Sequence, residues 1–297
     1  MTKRAKPKST VRSREMGAEL RLRRTKARIS GEELTRRLDW PIGKVSYAEN
    51  GIRPLRELEV AEYLVSCGPV VREDYERLLA LSEVPDHGYW VRPHNLDQPV
   101  ELRSLIVQEN IASDIGHYEP LVIPGLLQSE SYIRALFHWG SNRPENEIEP
   151  RVQARLARQA LLDKQLPPGT TFFLQESALR TVVGSPQVMH EQMLLLMMTA
   201  SQRHCSIRVV RDSAGPFTVF GAFRIMDYVD DHPSVAYTEG FTTGLFIDDA
   251  TDVARYRRIL NRLDSAALSE AQSRTWLAKF ASAYDRAEPI PSCPPPE

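Results

Sequence analysis

The 297-residue sequence lacks the features that mark secreted, membrane-spanning or disulfide-bonded proteins. Its three cysteines, Cys67, Cys205 and Cys293, are odd in number and far apart, so they fit neither a disulfide framework nor a zinc spacing. The longest apolar run, Met193 to Met198, is six residues, whereas a helix needs about 20 to cross a bilayer. No apolar stretch follows the basic N-terminus, so we expect no secretory signal there. These absences predict a cytoplasmic protein with reduced thiols and no membrane partner.

Catalytic and metal-binding motifs are lacking as well. The sequence contains no G-x-S-x-G, no H-E-x-x-H, no P-loop and no G-x-G-x-x-G. Its seven histidines share no metal-ligand spacing. We therefore expect that the protein is not an enzyme, and we assign no catalytic residue, no metal ligand and no cofactor.

The charge is distributed unevenly along the chain. Residues 1–60 contain 16 Lys and Arg against 8 Asp and Glu, a net charge of +8, whereas the other 237 residues carry a net charge of -9. A basic end on an acidic body indicates that one part meets an anion such as nucleic acid. A solvated basic tail without a partner is the alternative.

Composition and the positions of turn-forming residues divide the chain into four parts. Residues 1–12 are rich in Lys, Arg, Ser and Pro and are predicted to be a disordered basic tail. Residues 13–84 are predicted to form a helix-turn-helix domain, and residues 85–284 a sensor or interaction domain. Residues 285–297 form a proline-rich tail.

Apolar spacing predicts four short helices in the basic part. The first covers Arg14 to Ala27, and Ser30 is placed to cap the second, which has Leu34 on its buried side. Pro41 stands where a third helix can start, because its missing N–H costs nothing there. The fold class is thus an all-α helix-turn-helix bundle at the N-terminus.

Beyond the bundle, helical and strand-like patterns are mixed. Leu102–Ile115 is one of several helical stretches. The strand-like runs are Thr170–Glu176, Ser206–Arg211, Phe217–Tyr228 and Val235–Phe246. A mixed α/β (α+β) domain is therefore predicted to follow the bundle.

The second and third helices have the spacing of a helix-turn-helix, in which the first braces the second in the major groove. With Val45 and Ala48 turned inward, Lys44, Ser46 and Tyr47 face outward. Four arginines flank this surface and are candidates to neutralise phosphates: Arg21, Arg24, Arg28 and Arg53. A small bundle with a solvated basic face has the same spacing.

Particular residues resemble known proteins. The stretch from Met16-Gly17 through Ile29-Ser30-Gly31-Glu32-Glu33-Leu34 to Lys44-Val45-Ser46-Tyr47-Ala48-Glu49-Asn50-Gly51 resembles the Xre/phage-repressor helix-turn-helix family. Three further segments resemble the long domain of unknown function that follows such motifs in antitoxin-like bacterial regulators: Tyr118 to Gln128 with its Pro-Gly-Leu-Leu-Gln end, Arg151 to Gln159, and Ala266 to Ser269. The resemblance runs from about Met16 to Lys279.

The resemblance implies a transcriptional regulator that binds double-stranded operator DNA as a homodimer, often with a small protein encoded nearby as its partner. Carried over by position, it implies that base-reading residues lie from Ile42 through Gly43 to Tyr47, with Asn50 and Arg53 near the DNA backbone. This chain departs from the family pattern at several positions, four of which lie in or beside the turns. The family usually has Gly at Arg28 and at Asp39, Ser at Pro41 and Gln at Ile42. Ile42 can make only apolar contact, for example with a thymine methyl.

The C-terminal part contains weaker candidates for a partner or ligand contact. Met193 and Met197 lie on one helical stripe, and Leu126 and Leu127 stand beside a turn. Core packing explains the same pattern. A rival function is a protein-interaction module that sequesters a small partner and uses the helix-turn-helix for docking or dimerisation. A regulator that senses a small-molecule effector is a third.

Overall fold

The computed structural model describes residues 9–82, 88–93, 102–140, 144–229, 232–240 and 242–286. Its helices are α1 (Val11–Lys26), α2 (Gly31–Arg37), α3 (Lys44–Glu49), α4 (Glu57–Ser66), α5 (Arg72–Ser82), α6 (Arg103–Ile111), α7 (Glu130–Gly140), α8 (Glu145–Gln159), α9 (Glu176–Arg180), α10 (Pro186–Thr199), α11 (Ala250–Ala266) and α12 (Glu270–Asp285). Each helix in the described ranges is either too short or too polar to span a lipid bilayer.

The strands are β1 (Tyr89–Pro93), β2 (Ala112–Glu119), β3 (Gly169–Gln175), β4 (Cys205–Val210), β5 (Phe223–Tyr228), β6 (Val235–Glu239) and β7 (Thr243–Ile247). Within the described ranges they form one sheet in the order β1-β7-β6-β5-β2-β3-β4. The pairs β2–β3 and β3–β4 are parallel, and the other pairs are antiparallel. Helices α1 to α5 form an all-α N-terminal region, called the head below, and a mixed α+β region follows it. This arrangement confirms the predicted fold class.

Helices cover both faces of the sheet, because neighbouring residues on a strand point to opposite sides. Phe172 of β3 packs in a core with residues of α10 and α12, whereas Phe173 packs on the other face with Leu263 of α11. The first of these cores continues without interruption into the head, where it includes Met16 and Val45. The predicted boundary between residues 84 and 85 lies outside the described residues.

The first helix begins earlier than the sequence predicted. Thr10 caps α1, since its side chain accepts a hydrogen bond from the N–H of Ser13, and Val11 is buried. The ordered head therefore takes in residues 9–12 of the expected tail, while residues 1–8 lie outside the described residues. Helix α12 ends at Asp285, the first residue of the expected proline-rich tail, of which residues 287–297 are not described.

The third helix begins at Lys44 and not at Pro41, so the predicted start is wrong by three residues. Gly43 precedes the helix with a φ of 87°, a left-handed conformation that favours glycine. Ile42 and Gly43 therefore form the approach to α3 and do not lie on it.

Several predicted elements also shift in the C-terminal part. Residues Phe217–Phe220, expected to be strand, form a 3-10 helix before β5. The predicted run Val235–Phe246 contains two antiparallel strands, β6 and β7. The predicted helix Leu102–Ile115 stops at Ile111, where β2 follows directly.

Candidate nucleic-acid interface

The outward face of α3 is open to solvent, together with Ile42 before the helix and Asn50 after it. Ile42 is 98% exposed and Tyr47 is 46% exposed, and Ser46 and Asn50 are exposed beside them. The opposite face carries the buried residues Val45, Ala48 and Glu49. The structure therefore brings together four of the residues that the sequence proposed for DNA contact.

Helix α3 packs against α1 through close backbone contacts. A Cβ on Gly17 of α1 would lie 2.5 Å from the backbone oxygen of Glu49, and a Cβ on Gly51 would lie 2.6 Å from the backbone of Arg14. The Ser13 hydroxyl donates to the Gly51 carbonyl at 2.6 Å. Because these contacts involve backbone, α1 and the end of α3 are constrained to move together.

A buried carboxylate fastens the same end of α3. The Glu49 side chain is 4% exposed; it accepts hydrogen bonds from Arg24 at 2.6 and 2.8 Å and from the Tyr63 hydroxyl at 2.6 Å. Burial alone would raise the pKa of Glu49, but the hydrogen bonds from Arg24 and Tyr63 outweigh it and lower the pKa. Glu49 is thus a fixed internal anion.

Arg24, predicted as a phosphate contact, is instead engaged inside the head. Besides its two bonds to Glu49, it donates to the Ile29 carbonyl at 2.8 Å. The prediction used only the position of Arg24 beside the surface, whereas its partner in the structure lies 25 residues away in the sequence.

Arg21 connects the exposed and the buried parts of this region. Its guanidinium donates to Glu49 at 3.3 Å and to the Asn50 side-chain oxygen at 2.5 Å. Asn50 in turn donates to the Ser46 hydroxyl at 3.2 Å. The polar side chains of the outward face are therefore held in place before any partner arrives.

Lys44 departs from its predicted place. Its ammonium nitrogen lies 2.7 Å from a carboxylate oxygen of Glu59 in α4 and 3.8 Å from the centre of the Trp40 ring. An ion pair and a cation–π contact together turn this side chain toward α4 and away from the outward face. The expectation that Lys44 faces outward is wrong.

The remaining predicted arginines are open to solvent. Arg28 and Arg53 are exposed, and the Arg53 guanidinium lies 5.7 Å from the centre of the Tyr47 ring. Arg28 has a φ of 59° and Asp39 has a φ of 50°. Positive φ is unusual for residues other than glycine, so both positions require a glycine-like turn.

The predicted partner or ligand residues of the C-terminal part belong to the core. Leu126, Leu127 and Met193 are buried, and Met197 packs against the same cluster. Gln192 donates to the Leu127 carbonyl at 2.7 Å, which fixes the turn on α10. Leu126, Leu127 and Met193 are thus core residues, and Met197 is a partly buried neighbour of the core.

Sequence reasoning missed a second buried carboxylate. Glu109 of α6 accepts hydrogen bonds from Arg158 of α8 at 2.6 and 2.8 Å and from Arg224 of β5 at 2.8 Å. Nothing in the local pattern identifies this cluster, since its members are 49 and 115 residues apart. Glu49 did leave a signal, because it stands four residues after Val45 and so on the inward side of α3.

Among the described residues, no group of three or more His, Cys, Asp or Glu side chains is placed to hold a metal ion.

The chain matches a known family of proteins. The family model described as "Domain of unknown function (DUF5753)" matches residues 102–279, which is more than half of the chain. No curated protein matches. Among solved structures, the chain is similar to TrmBL2, described as an archaeal chromatin protein with a novel mode of DNA binding, at 13% identity over 66% of this chain and 60% of that one. The TM-score is 0.29, too low to support a shared fold.

Proposed function

The chain belongs to the DUF5753 family, whose name assigns no function, and we propose that it is a DNA-binding transcriptional regulator with an Xre-type helix-turn-helix head. In this proposal it is a cytoplasmic, antitoxin-like homodimer that binds a two-fold operator in double-stranded DNA. The C-terminal domain serves for assembly and for a partner protein or effector. The proposal includes no catalytic step and no cofactor.

One observation carries the proposal: α3 is held rigidly on its inner side while its outer side is bare. A reading helix must present side chains to base edges in the major groove while a second helix braces it. Ile42, Ser46, Tyr47 and Asn50 are exposed, and Glu49 is clamped by Arg24 and Tyr63. This combination suits a surface that must keep its shape on a duplex.

The turn geometry supports the assignment to the Xre type. Arg28 and Asp39 stand where that family usually has glycine, and both have positive φ. The backbone thus keeps the conformation that glycine ordinarily supplies, although the side chains differ.

The exposed residues divide into two roles. Ile42 and Tyr47 present apolar surface for base edges, with the thymine methyl group as the natural partner of Ile42. Arg21, Arg28 and Arg53 serve as phosphate contacts, which fix register and supply affinity without reading sequence.

Titration of labelled DNA from the protein's own locus at several salt concentrations tests the proposal. If three arginines of each subunit of a dimer neutralise phosphates, log affinity should fall against log salt with a slope of about -5. The absence of binding at low salt by the full-length chain contradicts the proposal.

Matched variants separate base reading from phosphate contact. Tyr47→Ala should weaken binding to the cognate site about tenfold more than binding to random DNA, because the loss of a base contact costs about 1–3 kcal/mol. Arg53→Gln should weaken both alike. Lys44→Ala is the control, because Lys44 turns toward Glu59. It should leave the affinities for the cognate site and for random DNA unchanged. Equal losses on both DNAs for Tyr47→Ala would show that α3 does not read bases.

The exposure of Ile42 favours a second candidate, the protein-interaction module. A nearly fully exposed isoleucine at the tip of the head suits an apolar docking contact as well as a thymine methyl. This candidate predicts a stable complex with a small protein and no footprint on DNA, whereas the regulator predicts a footprint.

A further inference from the structure

Helix α6 lies between the head and the core of the C-terminal domain. Its neighbouring residues Gln108 and Glu109 are both fully buried. Gln108 contacts α1 and Glu109 contacts α8 and β5. Burying a polar side chain costs free energy unless the side chain is hydrogen-bonded. The hydrogen bonds of Gln108 and Glu109 therefore help to fix the position of α6.

On the head side, α6 holds a buried carboxylate of α1. Ser104 of α6 donates to Glu15 at 2.6 Å, and Arg92 of β1 donates to the other Glu15 oxygen at 3.0 Å. Arg92 also donates to the Ser104 hydroxyl at 3.0 Å. The Gln108 side chain donates to the Val11 carbonyl at 3.3 Å. These bonds fix the first two turns of α1.

On the core side, α6 is part of the Glu109 cluster, formed by Glu109, Arg158 and Arg224. The Tyr228 hydroxyl of β5 donates to Gln108 at 3.0 Å, so the strand next to the cluster also contacts the head-facing residue. A Cβ on Gly125 would lie 3.5 Å from a guanidinium nitrogen of Arg158. The Pro-Gly-Leu-Leu-Gln segment and α8 therefore meet over this cluster.

Helix α1 carries the connection to the outward face of α3. Gly17 and Gly51 leave no room between α1 and the end of α3, and Arg21 of α1 bonds Asn50. A displacement of α6 thus reaches Ser46 and Asn50 through direct contacts only.

We propose that α6 couples the Glu109 cluster to the DNA-binding face, so that a change in this cluster alters DNA affinity although none of its residues contacts DNA. This inference rests on the proposed function and adds a way in which DNA binding is regulated. Glu109 and Arg158 act as positioning residues: they set α6, and α6 sets α1 and α3. A partner or effector that disturbs the cover formed by Gly125 and α8 would act through the same route.

The test compares two buried glutamates in the full-length chain. Glu109→Gln removes the charge that holds Arg158 and Arg224. The matched control Glu176→Gln removes a buried carboxylate of α9 that pairs with Arg180 and accepts from the Asp212 N–H at 3.2 Å. Urea unfolding should show that both variants fold. Glu109→Gln should then lose about fivefold or more in DNA affinity, the lower end of ordinary coupling, and Glu176→Gln should lose none.

Amide hydrogen exchange provides a readout that does not require DNA. Glu109→Gln should speed exchange in α1, from Val11 to Leu20, and Glu176→Gln should not. If wild-type protein fails to bind DNA, the proposed function fails while this exchange result still decides the coupling. Unchanged affinity together with unchanged α1 exchange in Glu109→Gln overturns the inference.

A milder variant covers the case in which Glu109→Gln does not fold. Ser104→Ala removes one hydroxyl from the bond to Glu15, and it should give the same α1 exchange pattern with a smaller loss of affinity. Ser206→Ala, which removes a hydroxyl that donates to Glu270 at 2.8 Å on the far side of the sheet, is its control. If Ser104→Ala behaves like Ser206→Ala, α6 does not couple the two regions.

Discussion

The head and the sheet each bury a glutamate, and the two behave in opposite ways. The side chain of Glu49, at the end of α3, is 4% exposed, and that of Glu119, at the end of β2, is 13% exposed. The pKa of Glu49 is lowered, whereas burial raises the pKa of Glu119 to about 7. Of these two side chains, Glu49 is thus a fixed charge and Glu119 a titrating group.

Hydrogen-bond partners account for the difference. Glu49 accepts from two arginines and a tyrosine. Glu119 lies near Arg224, but Arg224 donates to Glu109 at 2.8 Å. Desolvation disfavours the charged form unless donors replace the lost water. The comparison shows that arginines hold the charged Glu49 at the end of α3, whereas the pKa of Glu119 in the sheet lies close to neutral pH.

The largest effect is expected from breaking the head's anchor. Glu49→Ala leaves the Arg24 guanidinium and the Tyr63 hydroxyl without their main partner, and the loss of one member of a buried pair costs about 3–5 kcal/mol. Urea unfolding measures the loss. Glu33→Ala is the control, because Glu33 pairs with Arg37 at the surface and such pairs contribute about 0.5 kcal/mol. Equal losses in the two variants would show that Glu49 is no anchor.

A second prediction tests the close contact between α1 and the backbone of Glu49, and it keeps the Glu49 charge. Gly17→Ala places a methyl group 2.5 Å from the Glu49 carbonyl oxygen, so α3 must shift, and overpacking of this kind costs about 1–3 kcal/mol. Gly31→Ala is the control, since nothing lies within 4 Å of a Cβ at Gly31. Unfolding midpoints and DNA affinity should both fall for Gly17→Ala only. A Gly17→Ala protein as stable as Gly31→Ala would mean that the contact is loose.

Local patterns predicted the parts of the head that depend on near neighbours. Ser30 caps α2 as expected, since its hydroxyl accepts from the Glu33 N–H at 3.1 Å, and Leu34, Val45 and Ala48 are buried. Helical periodicity and capping act over three or four residues, so the sequence alone contains this information.

The failures share a different cause. Lys44 turns toward Glu59, and Arg24 toward Glu49, because of partners 15 and 25 residues away. No periodicity encodes such pairs. The fold is needed to show which arginines remain for a partner.

Strand β2 was missed for a related reason. Its residues Asp114, His117 and Glu119 are polar, and the helical prediction continued across its first half. The strand pairs with β3 on one side and β5 on the other, and these distant pairings override local propensity.

The smallest predicted effect is the pH dependence of stability that Glu119 causes. Because its pKa is raised in the folded protein, the folded state holds this proton more tightly than the unfolded state. The contribution to stability is therefore full below the ordinary glutamate pKa and is lost as pH rises through about 7. Between pH 6 and pH 8 the loss should be about 1 kcal/mol.

Glu119→Gln isolates this contribution, since the other titrating groups cancel when the variant is subtracted from wild type at each pH. His117, whose Nε2 lies 3.8 Å from Glu119, does not interfere, because burial lowers its pKa well below 6.5 and keeps it neutral. Because glutamine mimics the protonated carboxyl, the urea unfolding midpoints of wild type and variant should lie closer together at pH 6 and further apart at pH 8, where wild type has lost stability. Parallel pH profiles would contradict the raised pKa and would remove the contrast with Glu49, whose lowered pKa makes its contribution disappear only on the acid side.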